Sequence, residues 1–262
     1  MRIAAGVEYD GTAYNGWQRV ASGTGVQEVV ERALSRVADH EVSATCAGRT
    51  DAGVHATAQV IHFDSGSERS ERSWLLGGNS NLPDDVVLHW IRRVSDDFHA
   101  RYSASARTYR YLILNRLVRP ALLRHRAWWL HDPLDTGRMS EAAQALLGEH
   151  DFSAFRAAGC QSRTAVRRIT ELRVERVDDW VSITITANAF LQHMVRNITG
   201  LLAEIGRGDA EPSAARDILE GRDRTAAGVA APARGLTLVA VEYPAAFGLP
   251  ASSVPQLVPG VR

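Results

Sequence analysis

Apolar and polar positions along this chain fall into short stretches separated by turn residues, the pattern of a protein with many strands and a few amphipathic helices. Arg2 to Tyr9 reads as a strand that stops at the turn pair Asp10-Gly11. Val42 to Thr45 and Thr57 to Phe63 read as strands on either side of a loop, and Val86 to Val94 follows the break at Pro83-Asp84-Asp85. From Ala106 to Leu114 alternation puts Arg107, Tyr109 and Tyr111 on one strand face, with Arg110 and Leu112 on the other. Ile169 to Val177 and Trp180 to Thr186 alternate with only Asp178-Asp179 between them, a hairpin signature without glycine, and Leu236 to Tyr243 reads as a last strand. Helical spacing relates Val26, Val29, Val30, Leu34 and Val37, and helices are also predicted over Asp135 to Leu147 and Glu211 to Gly221. The longest predicted helix is Ala189 to Gly206, with Phe190, Met194, Val195, Ile198, Leu201, Leu202 and Ile205 on its apolar side and Asn188 as its N-cap.

Each half of the chain thus runs through strands into a long amphipathic helix, which predicts two related lobes whose sheets meet in a cleft, with antiparallel pairing at the Asp178-Asp179 hairpin. The expected division is an N-terminal lobe over 1–115 and a crossing segment over 116–134 that holds Pro120, Trp128, Trp129 and Pro133. A C-terminal lobe over 135–244 and an extended tail over 245–262 complete it. Asp151 to Arg156 reads as a loop and Gly159 to Arg163 as a mobile one.

Composition narrows the chemistry. With 262 residues and 45% hydrophobic content the chain buries a real core. Thirty basic residues balance thirty acidic ones, and every basic residue is arginine. The absence of lysine excludes a lysine Schiff base and a P-loop lysine, and gives any cationic role to a guanidinium suited to bidentate phosphate contact. Net neutrality argues against a nucleic-acid partner, but Arg101 to Arg126 holds seven arginines and no Asp or Glu, a local patch that outweighs the average. Cys46 and Cys160 have no CxxC spacing, so neither a disulfide framework nor a zinc cluster is expected. No apolar run reaches the roughly 18 residues of a membrane span, and the N-terminus shows no signal-peptide pattern, so a cytoplasmic protein is expected.

The stretch Ala47-Gly48-Arg49-Thr50-Asp51-Ala52-Gly53-Val54-His55-Ala56 concentrates candidate chemistry in the loop between two strands. Asp51 lies between Gly48 and Gly53, which permit tight turns and close approach of a ligand, and Arg49 stands two positions before the acid. Tyr14 and Trp17 either offer rings to bases or cap the core. The row Arg107, Tyr109, Tyr111 suits base stacking and phosphate contact, and equally suits a half-buried structural strand. Arg196, at the edge of the predicted helix's apolar stripe, either pairs with a carboxylate or snorkels. A metal hydrolase would need Asp51, His55, His62 and Asp64 to converge, which their spacing does not require. A non-catalytic RNA-binding module would need the arginines and aromatics but not Asp51.

Taken together the motifs resemble one family almost end to end, the tRNA pseudouridine synthase A family. They are Glu8-Tyr9-Asp10-Gly11 with Gly16-Trp17-Gln18, the decapeptide from Ala47, Asp97-Phe98-His99-Ala100-Arg101, Tyr109-Arg110-Tyr111, Asp151-Phe152-Ser153-Ala154-Phe155-Arg156, and Asn188-Ala189-Phe190 through His193-Met194-Val195-Arg196-Asn197. The resemblance implies a cofactor-free isomerase that converts uridine to pseudouridine at positions 38 to 40 of the tRNA anticodon stem-loop. It implies a homodimer in which one tRNA contacts both subunits, and an α/β fold of two similar lobes around a continuous, mainly antiparallel sheet, with helices on one face and a cleft between lobes. By the same resemblance Asp51 matches the catalytic aspartate, and Arg49 the residue that helps hold the flipped nucleotide out. Tyr109 matches the tyrosine stacked on the target base, and Arg196 the arginine paired with the aspartate.

Overall fold

The computed structural model describes residues 1–250 of the chain. Among these residues ten strands and five α-helices form an α/β fold whose strand pairs are mainly antiparallel, with two compact units. The first unit comprises Met1–Ala106 with the segment from Thr237 onward, and the second Arg107–Leu236. The tail expected from residue 245 is described only to 250, where it opens with a 3-10 turn over Ala245–Phe247; the expectation for 251–262 lies outside the described residues.

In the first unit β1 (Arg2–Tyr9) is nearly all buried and pairs antiparallel with β3 (His55–Asp64) on one side and β4 (Val86–Val94) on the other. The short β2 (Ala44–Cys46) adds to β3 antiparallel, and β10 (Leu236–Glu242) adds to it in parallel. α1 (Val26–Ala38) buries Val26, Val30 and Leu34 of the predicted face together with Ala33 and Ala38, while Val29 and Val37 are half-buried. α2 (Glu71–Asn81) starts where the Ser70 hydroxyl accepts from the Ser73 amide. It is tied to β4 by Asn79, whose side chain donates to the Leu88 carbonyl and accepts from the Leu88 amide.

The second unit orders β5 (Ala106–Asn115), β9 (Trp180–Ala187), β8 (Val166–Val177) and β7 (Gly148–Asp151) antiparallel, with β6 (Trp128–Leu130) parallel to β5. The segment 116–134 therefore contributes a strand, and the stretch read as a loop at Asp151 begins with one. Asp178 supplies the left-handed residue that the β8–β9 hairpin needs, with φ of 51°, a conformation Asp tolerates better than most residues. Three helices accompany these strands, α3 (Thr136–Gln144), α4 (Met194–Arg207) and α5 (Ala214–Gly221).

The predicted start of the longest helix is corrected. α4 begins at Met194 behind His193, whose φ is 62°, and not at Ala189 behind Asn188. The Asn188 side chain does accept from the Ala189 amide, but it also accepts from Arg168 of β8, so it anchors the preceding loop to a strand and does not start a helix. Phe190 consequently belongs to that loop and not to the helix's apolar side.

Candidate active site

Asp51 sits in a loop that has almost no regular structure and is nevertheless held from several sides. Gln59 of β3, fully buried, donates to the Gly48 carbonyl at 2.6 Å. The Tyr9 hydroxyl on β1 bonds the Thr50 hydroxyl at 2.8 Å, and burial pushes that phenol well above the usual tyrosine range. The segment after β1 grips the other side: the Trp17 amide donates to the Thr50 carbonyl at 3.0 Å and the Gly53 amide to the Tyr14 carbonyl at 3.3 Å. A turn closes on the acid itself, with the Val54 amide donating to the Asp51 carbonyl at 3.1 Å.

Two glycines make the approach possible. A Cβ on Gly16, where φ is 93°, meets the Thr50 carbonyl oxygen at 2.6 Å, and a Cβ on Gly11 meets the Val54 carbonyl oxygen at 2.0 Å. Both distances forbid a side chain without movement of backbone. The result is a half-buried Asp51 on a fixed backbone with an exposed Arg49 two residues away.

Tyr14 and Trp17 cap the core, so the base-stacking reading of these two is set aside. Both are buried, Trp17 against Tyr9 with ring centroids 5.9 Å apart and Tyr14 through its hydroxyl on Asp85 at 2.6 Å. The metal grouping of Asp51, His55, His62 and Asp64 is also not assembled. His55 Nδ1 accepts from the Gly11 amide and lies 3.1 Å from Asp10, His62 Nδ1 accepts from the Ala100 amide, and Asp64 pairs with Arg2 at 2.8 Å. Among the described residues no group of three or more His, Cys, Asp or Glu is arranged to hold a metal ion. Burial pushes the Cys46 thiol up to about 12, with Arg49 and then Arg101 pulling against it, so this cysteine stays a protonated core residue.

Tyr109 and Arg196 belong to the second unit. Tyr109 lies on β5 opposite Ile185, buried, with Phe190 edge-on to its ring at a centroid distance of 5.0 Å. On the same strand face, Arg107 donates to the Asn188 carbonyl at 2.8 Å and the Tyr111 hydroxyl to the Pro232 carbonyl at 2.7 Å. Arg196 is half-buried in the first turn of α4; its Nε donates to the Ala231 carbonyl at 2.8 Å and its own carbonyl accepts from the Ala231 amide at 2.9 Å. The neighbouring Asn197 is fully buried and donates to the Phe155 carbonyl at 2.7 Å. These contacts hold Arg196 at its backbone carbonyl and at the Nε of its guanidinium.

The arginine patch is smaller than its count of seven. Arg107 and Arg110 are buried in β5, which leaves Arg101, Arg116, Arg119, Arg124 and Arg126 exposed. Sequence reasoning gave no role to Gln59 or Thr50 and placed Phe190 on a helix instead of beside Tyr109, although Gln59 carried a signal as a polar residue next to the apolar run Val60-Ile61.

Comparison with known proteins bears on both units. The tRNA pseudouridine synthase family profile matches residues 5–103 and 142–244. A protein of Coxiella burnetii called tRNA pseudouridine synthase A is 54% identical over 249 residues, covering 95% of each chain. Proteins of the same name from Vibrio campbellii and Aeromonas hydrophila are 53% and 54% identical over 250 residues, covering 95% of this chain and 95% and 93% of theirs. The matched ranges take in the Asp51 loop, the loop at Phe190 and the first turn of α4 alike, and on that breadth of likeness the chain belongs to the tRNA pseudouridine synthase family.

Proposed function

We propose that this chain isomerises uridine to pseudouridine at positions 38 to 40 of the tRNA anticodon stem-loop, with Asp51 as the catalytic carboxylate acting on a flipped-out base. What carries the reading is a family match that includes the Asp51 carboxylate, presented on a backbone clamped by Gln59, Trp17 and Tyr14.

The reaction needs such a group. The bond from the sugar carbon C1′ to N1 of uracil breaks, the base turns, C1′ bonds to C5, the C5 proton leaves and N1 gains one, so composition is unchanged and no redox partner is required. Positive charge develops at the sugar carbon as the first bond breaks, and a carboxylate stabilises it or bonds to it. The uracil must be kept from escaping, which favours a closed pocket with a stacking ring over an activated water.

Tyr109 is proposed as that ring, and its edge-on contact with Phe190 supports a fixed orientation. Arg49 is proposed to hold the extruded nucleotide out, a role its exposure suits. Arg196 is proposed as the arginine paired with Asp51, and the bond from its Nε to the Ala231 carbonyl limits where its guanidinium reaches. Extruding the base costs a few kcal/mol, which phosphate contacts from the exposed arginines at 101, 116, 119, 124 and 126 offset.

The enzyme is proposed to work as a cytoplasmic homodimer with one tRNA across both subunits. Among the described residues no helix is long and apolar enough to cross a membrane. Sedimentation of a tRNA complex in which one chain binds one tRNA throughout the active concentration range contradicts the dimer.

Asp51→Asn tests the assignment. Pseudouridine formation in a tRNA transcript is expected to fall on the order of a thousandfold or more while tRNA affinity stays close to that of the parent protein. Turnover near the parent rate contradicts the catalytic role, and a binding-only module is indicated if the unaltered protein binds tRNA but forms no pseudouridine.

A further inference from the structure

The loop 95–105 between β4 and β5 carries a tyrosine whose placement the core does not explain. Tyr102 is 75% exposed, yet its ring has fixed company. The His99 ring lies against it with centroids 4.3 Å apart and planes inclined by 32°, and the Arg101 guanidinium carbon is 5.5 Å from its centroid. Behind His99 follows the buried His62 ring of β3, at 4.6 Å.

Backbone amides orient both imidazoles. His62 Nδ1 accepts from Ala100 at 3.1 Å, and His99 Nδ1 accepts from both Arg101 and Tyr102 at 3.2 Å. Ser103 clasps the turn: the His99 amide donates to its hydroxyl at 3.0 Å and the Ser103 amide to the His99 carbonyl at 2.9 Å. A ladder of three rings therefore runs from a central strand to solvent in an order set by the backbone.

We propose that Tyr102 and Arg101 form a stacking platform for an unpaired nucleobase of the RNA substrate, with the tyrosine ring against the base and the guanidinium on the adjoining phosphate. The proposal rests on the tRNA substrate put forward above. A single exposed tyrosine is ordinary on a protein surface, but one already ordered beside a cation loses little freedom when a base settles on it. Such platforms bind by π-face and charge and so tolerate any base.

The surroundings agree. Burial, together with Arg2 and Arg101, holds His99 below the usual histidine range, so the ladder is neutral and does not repel the guanidinium. Asp96 and Asp97, the nearest acids in sequence, act on Arg2. Cys46, two residues before Gly48, feels both Arg49 and Arg101, which sets Arg101 near the strand that leads into the Asp51 loop.

Equilibrium binding of an unmodified tRNA transcript to the parent protein, Tyr102→Ala and Tyr102→Phe, with pseudouridine formation measured on the same preparations, tests the platform. The alanine variant is expected to bind about tenfold or more weaker and the phenylalanine variant within about twofold of the parent, because stacking needs the ring and not the hydroxyl. Melting temperatures are expected to match. Parent-like affinity of Tyr102→Ala, with an active parent, overturns the platform and leaves the function standing. A parent protein that forms no pseudouridine in tRNA overturns the function and the platform with it. Loss of self-association by Tyr102→Ala without loss of tRNA affinity overturns the platform in favour of a protein contact.

Discussion

His62 shows how one buried side chain sets a pH limit on the protein. Its ring is 7% exposed, and burial, with His99 and Arg2 adding their charge, lowers its pKa from 6.5 to about 4, while Asp64 opposes them. In the native protein the ring stays neutral and accepts from Ala100, whereas in the unfolded chain it binds a proton below pH 6.5. The unfolded state therefore holds more protons between these two values, and native stability present above pH 6.5 is lost as pH falls toward about 4. His99 is shifted in the same direction and adds to the effect. The depressed carboxylates Asp64 and Asp151 act at lower pH, since their pKa values lie below 3.8. His62→Asn keeps an acceptor for the Ala100 amide but cannot titrate. Urea unfolding at pH 7 and pH 5 is expected to show the parent losing a kcal/mol or more on acidification, and the variant losing clearly less. Equal losses contradict the account.

At the scale of elements, the first turn of α4 and the loop over 227–231 act as one piece. Gly200 makes this possible: a Cβ there lies 2.1 Å from the Val229 carbonyl oxygen, and Ala231 two residues on grips Arg196 from both its amide and its carbonyl. Gly200→Ala must push this loop off the helix, at roughly 1–3 kcal/mol, and release the arginine proposed to face Asp51. A lower melting temperature and reduced pseudouridine formation are expected together; unchanged melting shows that the loop does not rest on α4 as described. The same region shows what was legible beforehand. The apolar period of α4 was readable from Met194 to Ile205 because that face is buried over its whole length. Its start was not, because Asn188 has the chemistry of an N-cap and spends it on Arg168 of a distant strand, a tertiary contact that local pattern does not contain. β1 and β4 were legible to the residue, since turn pairs bound them, while the three- and four-residue strands β6 and β7 carry too few positions to show a period. Within the candidate site, Asp51 and Arg49 stood out through their glycine-rich loop. The burial of Tyr14 and Trp17 did not, because aromatics beside arginine look alike whether they cap a core or face RNA.

For the whole molecule the charge balance makes a distinct statement about tRNA binding. Thirty positive and thirty negative residues cancel, so attraction to RNA cannot come from net charge and has to come from where exposed arginines cluster along the chain. The segment 116–126 is such a place, with Arg116, Arg119, Arg124 and Arg126 exposed and no Asp or Glu in its sequence, although Asp179 approaches Arg116 at 3.9 Å. Leu117 and Leu122 stand out there at 81% and 94% exposure, so the segment adds little to the core and its arginines are free to change without cost to folding beyond about 0.5 kcal/mol. Each phosphate neutralised releases about 0.7–0.9 counterions, and the logarithm of the association constant falls with the logarithm of salt in proportion. If Arg119 and Arg124 each meet a phosphate, the double variant Arg119→Ala with Arg124→Ala weakens binding to every tRNA by a similar factor and flattens the salt slope by about 1.5. Titrations of two unrelated tRNAs from about 50 to 200 mM salt check this. A slope equal to that of the parent places the tRNA elsewhere on the surface, and a loss confined to one of the two tRNAs marks these arginines as readers of sequence or shape and not of charge.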